Sequence, residues 1–308
     1  MKKILHIILI TIISLTVISC SSSDDSKTTT TSSVSFVAVG TSGTLLTSSD
    51  GTSWTSRTSG TSNGLQRVIY ANSTFVTVGD SGTILTSLDG ISWTSRTSGT
   101  TNTLYGITYG NSTFVTVGNS GTILTSSDGT TWTSRTSGTA NDLWGDNYIN
   151  SIFVAVGDSG TILTSSDGTS WDNRTSGTSN GLQRVIYANS DFIVVGDAGI
   201  ILRSSDGTSW ATLTPLTTAN IYGSYYVNSS FVMVGESGTI ITSLNDGSDW
   251  DNRTSGTTNR LYKVTYGNST FVTVGLSGTV LTSSDNGTTW TSRTSGTTET
   301  LHGIAYKE

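Results

Sequence analysis

Residues 104–135 read LYGITYGNSTFVTVGNSGTILTSSDGTTWTSR. Four short runs within them, Leu104 to Tyr109, Thr113 to Val117, Gly121 to Thr125 and Thr131 to Arg135, are rich in Thr, Val, Ile and aromatic residues. Clusters of Gly, Asn, Asp and Ser part these runs. β-Branched and aromatic side chains suit a pleated, half-buried surface, whereas Gly, Asn and Asp tolerate the backbone angles of tight turns. The stretch therefore predicts four antiparallel strands in succession. No window of the sequence keeps a helical period, and a single Pro in the chain leaves strands free to form throughout.

The unit recurs from residue 34 onward. Trp54, Trp93, Trp132, Trp171, Trp210, Trp250 and Trp290 follow one another at spacings of 39, 39, 39, 39, 40 and 40 residues. Four strands per repeat and a period near 40 define propeller blades. The chain enters on a second run, Phe36 to Val39, and ends on a first run, Leu301 to Tyr306. The expected architecture is thus all-β: a seven-bladed β-propeller of four-stranded antiparallel blades over residues 34–308, closed by pairing of the C-terminal strand with the N-terminal blade. Such closure removes the two sheet edges an open array would leave. Residues 58–73 and 175–190 are identical, three blades apart, which points to block duplication.

Composition excludes whole classes of chemistry. Thr supplies 59 residues and Ser 52, while only 12% of the chain is charged, so hydroxyls make its surface polar. A disordered stalk shares that composition but not the fixed spacing of apolar residues. The only histidines are His6 and His302, and the only cysteine is Cys20. His-based zinc sites, thiol redox pairs and disulfide frameworks are thereby ruled out. Neither a phosphate loop with its Lys nor a basic stripe is present, and the net charge is −6, so nucleic acid is not an expected partner. No metal, cofactor or catalytic residue is expected.

The N-terminus reads as an address. Lys2 and Lys3 precede an apolar stretch from Ile4 to Ile18, the pattern of a secretory signal and shorter than a membrane span. Val17, Ile18, Ser19 and Cys20 resemble a bacterial lipobox. That resemblance implies a lipoprotein signal peptide over 1–20 and acylation of Cys20, holding the protein to a membrane of the bacterial envelope, at the outer membrane or cell surface. Residues 21–33, Ser, Thr and Asp without apolar periodicity, read as a flexible tether.

Each repeat carries a hairpin motif. Ser283 to Trp290, SSDNGTTW, matches the Asp-box (BNR) pattern Ser-x-Asp-x-Gly-x-Thr-Trp; Ser243 to Trp250 has Asn245 at the Asp position, and the other five are one residue shorter between Asp and Gly. The Asp is expected to bond back to its own turn, Gly to take a positive φ, and Trp to bury surface between blades. With the units FVTVG, SGTILTS and SWTSR, residues 34–308 are similar to the bacterial WD40/YVTN/BNR-like propellers known as photosystem II stability/assembly factor-like proteins. The resemblance implies a non-catalytic scaffold or assembly-binding role and does not imply photosynthesis.

Variation on the repeated frame marks the candidate site, because a repeated scaffold carries its function on the positions that differ. After the leading Leu or Ile of each first run come Gln66, Tyr105, Trp144, Gln183, Tyr222, Tyr262 and His302, then Arg67, Gly106, Gly145, Arg184, Gly223, Lys263 and Gly303. Arg67, Tyr105, Trp144, Arg184, Tyr222, Tyr262, Lys263 and His302 are the candidate ligand-binding residues, aromatic faces near basic groups at the channel mouth. A packing role competes: an aromatic residue beside a strand glycine covers exposed backbone, as at Tyr105, Trp144 and Tyr222. Asp142 and Asp146, in the segment departing most from the repeat, offer two carboxylates but no further oxygen ligands, which is weak evidence for a cation.

Two rivals stand beside a scaffold that binds a protein or envelope component. A sialidase-like glycan hydrolase needs two carboxylates, or a Tyr with an acid, in a central pocket. Glu236 occupies a turn position, however, and Arg57, Arg96, Arg135, Arg174, Arg253 and Arg293 all follow a periodic Trp on the outermost strands. The other rival is a surface repeat protein without a specific ligand.

Overall fold

The computed structural model describes residues 33–307. The signal peptide, Cys20 and all of the tether but Ser33 lie outside the described residues. Among those described, seven four-stranded sheets form, each wholly antiparallel in strand order, and they are numbered here as blades in chain order. Blade 3 shows the common pattern: Leu104–Gly110 innermost, then Thr113–Gly118, Ile123–Ser126 and Thr133–Arg135. In blade 1 the innermost strand is Leu301–Tyr306, paired to Phe36–Gly40 from the start of the chain. The ring closes as the copy count required.

Two boundaries differ from the sequence reading. The third strand begins at Ile123 rather than Gly121, because Asn119–Gly121 winds into a short 3-10 turn that the Thr122 N–H closes onto the Asn119 carbonyl. The outermost strand begins at Thr133, after Trp132 rather than before it. That Trp is committed to the preceding hairpin, where its indole Nε1 donates to the Gly129 carbonyl at 3.2 Å.

The turns follow from residue chemistry. Ala71 pairs with Thr74, leaving Asn72 and Ser73 as a two-residue loop with both φ positive, the geometry whose twist matches flanking strands. Asn111, Asn228 and Asn268 sit likewise. In the hairpin motif, Asp128 Oδ1 accepts the N–H groups of Thr130 and Thr131 at 2.8 and 2.9 Å and its Oδ2 accepts the Thr130 hydroxyl, while Gly129 takes a φ of 74°. Those bonds, the Thr130 hydroxyl foremost, hold the carboxyl well below the usual range.

The core lies between blades. Alternation along the second strand turns Phe75 toward blade 1 and Val76 and Val78 toward blade 3. Seven such clusters join adjacent blades, and one, with Phe36, Leu46, Val272, Leu301 and Ile304, seals blade 7 to blade 1. The outer-strand arginines are half-buried rather than freely exposed: Arg135 Nε donates to Thr125 Oγ1 at 2.9 Å, and the bond recurs from Arg57, Arg96, Arg174, Arg253 and Arg293.

Candidate functional site

A bulge in every innermost strand divides the candidate residues into two layers. Leu65 pairs with Gly79 and Arg67 with Val78, so Gln66 is the extra residue, and the same shift follows Leu104, Leu143, Leu182, Ile221 and Leu261. In blade 1 the shift falls between Val39 and Gly40 of the partner strand, leaving His302 in the same role. A bulge re-aims the side chain it displaces. Gln66, Tyr105, Trp144, Gln183, Tyr222, Tyr262 and His302 accordingly stand half-buried at one rim of the channel, beside the 3-10 turns, and Gln66 and Gln183 reach turn residues Asp80 and Asp197 at 2.9 and 3.0 Å.

On one side of this rim the aromatics assemble. The Tyr222 and Tyr262 rings lie 5.6 Å apart, and Tyr262 meets His302 edge-on at 4.9 Å. Arg260 was not among the sequence candidates, yet its guanidinium lies 5.1 Å from the Tyr222 ring and 5.7 Å from that of Tyr262, and pairs with Glu236 at 3.2 Å. The signal existed: Arg260 precedes the leading Leu, where the other blades carry Gly64, Thr103, Asp142, Gly181, Asn220 and Thr300. Burial lowers the His302 pKa, so its imidazole is neutral near pH 7. Asp158 is raised by burial and by the neighbouring charges of Asp142 and Asp197, a sign of crowded carboxylates. Trp144 packs over Gly181 at the start of the next blade, where an added Cβ would come within 2.8 Å of its ring.

The basic residues named from the sequence are not at this rim. Arg67, Arg184 and Lys263 lie deeper, 8%, 9% and 5% exposed. They form a waist with Asp146, which is 1% exposed. Among the described residues of this rim, the arrangement of aromatic faces beside a basic group is therefore carried by Arg260. The glycines of this layer serve close approach more than aromatic cover: a Cβ on Gly145 would lie 2.5 Å from the Gln183 carbonyl oxygen of the next blade, and one on Gly106 would lie 2.6 Å from Asp146 Oδ1. Asp142 and Asp146 do not converge on a cation. Asp142 Oδ1 accepts the Ser120 N–H at the rim at 2.7 Å while Asp146 is enclosed in the waist, and the described residues hold no cluster of three or more metal-binding side chains.

No protein-family model and no curated protein matches the chain in sequence. Solved structures that match number 683, as befits a widely used fold whose presence alone assigns no function. One is YCF48 bound to a D1 peptide, with a TM-score of 0.62 and 17% identity over 75% of this chain and 80% of that one. Another is YCF48 from Cyanidioschyzon merolae, with a TM-score of 0.61 and 15% identity over 77% of this chain and 87% of that one. The chain shares the YCF48 propeller fold.

Proposed function

We propose that this protein is a non-catalytic propeller, anchored in a bacterial envelope through Cys20, that binds a protein or envelope component at the aromatic rim. The observation that carries the proposal is the assembly of Arg260, Tyr222, Tyr262 and His302, a contiguous and partly exposed surface on the positions where the repeat varies. Aromatic and Arg side chains form the anchors of protein interfaces. The rim carboxylates favour a partner segment with cationic or hydrogen-bond-donating groups. The YCF48 structure with a D1 peptide supports the reading, since it is a propeller of the same fold holding a peptide. A hydrolase gains no support, because Glu236 is the turn residue paired with Arg260.

The test is partner capture from native envelope by the protein and by a folded variant with Trp144, Tyr222 and Tyr262 changed to Ala. A partner retained by the former and lost by the latter is expected. Metabolic labelling with a fatty-acid probe tests the anchor: Cys20→Ala should abolish the label and release the protein from membranes.

A further inference from the structure

The waist carries more buried positive charge than its own residues answer. Around it the innermost strands contribute Arg67 from blade 2, Gly106 from blade 3, Gly145 and Asp146 from blade 4, Arg184 from blade 5, Gly223 and Ser224 from blade 6, Lys263 from blade 7 and Gly303 from blade 1. Three cationic side chains thus face one carboxylate. None of the ion pairs among the described residues involves them: Arg174–Asp172, Arg203–Asp191, Arg253–Asp251 and Arg260–Glu236 all lie elsewhere. Arg67 Nε, Arg184 Nε and Nη1, Ser224 Oγ and both oxygens of Asp146 are buried without a hydrogen-bond partner.

Such orphaned groups are costly, because a buried ion loses its hydration and regains it only through close partners. Lys263 is the one cation there that can lessen the cost: burial first, then the Arg67 charge, moves its pKa well down, against the pull of Asp146. The guanidiniums have no such escape. Even Arg67, which burial lowers to about 10, stays charged at neutral pH, so two fixed positive charges share at most one carboxylate. Asp146, meanwhile, turns toward the space that Gly106 leaves in blade 3. A cavity of about 550 Å³ opens from Arg67, Arg184, Ser224 and Lys263 toward the C-terminal ends of the innermost strands, away from the aromatic rim. A residual positive charge, unsatisfied donors and an open approach meet at one place.

We propose that the waist is an oxyanion site, in which Arg67, Arg184 and Lys263, with Ser224 as a further donor, hold a single carboxylate or phosphate group that enters from the end opposite the aromatic rim. The bound anion supplies the missing counter-charge and favours the protonated form of Lys263. The group comes either as a free small anion or as the acidic end of a larger ligand, and the chemistry at the waist is the same. This site is independent of partner binding at the rim.

The test is thermal unfolding of the full chain at pH 8 with increasing sodium phosphate, and separately sodium acetate, at ionic strength held constant with sodium chloride. A saturable rise in the midpoint beyond the chloride control is expected with at least one of the two. Phosphate alone assigns the site to phosphoryl groups, and acetate alone to carboxylates. Arg184→Gln should remove the effect. Because that variant leaves the ring short of a packed side chain, Asp146→Asn provides a second reading: deleting the competing carboxylate should tighten anion binding at pH 8 by about tenfold. The proposal fails if neither anion exceeds chloride in the wild type, or if the anion effect is unchanged in both variants.

Discussion

Ala305 stands opposite Val37 in an antiparallel ladder, so the last strand of the chain is the innermost strand of its first blade. Leu301 and Ile304 from that strand are buried against Phe36, Val272 and Val274, and losing each such side chain from a core costs about 1.5–3 kcal/mol. Removing residues 301–308 should therefore lower the thermal midpoint by more than about 10 °C for a domain of this size, read by circular dichroism. A truncated chain melting with the parent would show that the ring does not depend on its clasp.

The hairpin tryptophans are not equivalent. Trp132 Nε1 donates to the Gly129 carbonyl, while Trp210 Nε1 is buried without a partner. Trp132→Phe should cost about 0.5–1.5 kcal/mol more than Trp210→Phe, which removes a donor that nothing satisfies. Urea unfolding of the two variants provides the comparison, and equal losses would refute the distinction.

Glycines in the waist and on the surface separate two causes of glycine dependence. Gly145→Ala would place a Cβ 2.5 Å from a backbone oxygen of the next blade, which is expected to cost about 1–3 kcal/mol by forcing the blades apart. Gly138 has open space around it and a φ of 77°, so Gly138→Ala should cost only the left-handed backbone, about 1–2 kcal/mol. The variants should differ in their interfaces as well as in stability: hydrogen exchange should quicken between blades 4 and 5 only in Gly145→Ala.

Most of the fold was legible because it rests on local, periodic features. Trp132 and its repeats give the blade count, and Leu301 to Tyr306, a first run without its followers, gives the closure. The site was less legible because a bulge decides it. Tyr262 and Lys263 are neighbours in sequence, and one displaced residue sends the first to the rim and the second into the waist. Alternation alone would not place them at different depths. Arg260 lies before the strand begins, outside the varying positions of the innermost strand, and the burial of Asp146 without a hydrogen-bond partner arises from packing between blades that its place in the sequence does not carry.

Asp146 gives the protein a pH dependence whose direction is fixed. Burial lifts its pKa from an ordinary 3.8 to about 7, against the opposing pull of Arg67 and Lys263. A proton held more tightly in the folded state stabilises below the unfolded value, and that contribution is lost as pH rises through about 7. Relative to Asp146→Asn, the wild type should therefore lose stability between pH 5 and pH 8 and hold level above it. Melting curves of both proteins across that range would show the divergence, and parallel curves would contradict it.

Partner binding at the aromatic rim is tested most directly by photo-crosslinking in native envelope from an amino acid placed at Tyr262, with Ser134 on an outermost strand as the reference position. A discrete adduct from position 262 and none from 134 is the expected result. Adducts from position 134 alone, or from neither, would contradict a binding scaffold whose site is the rim.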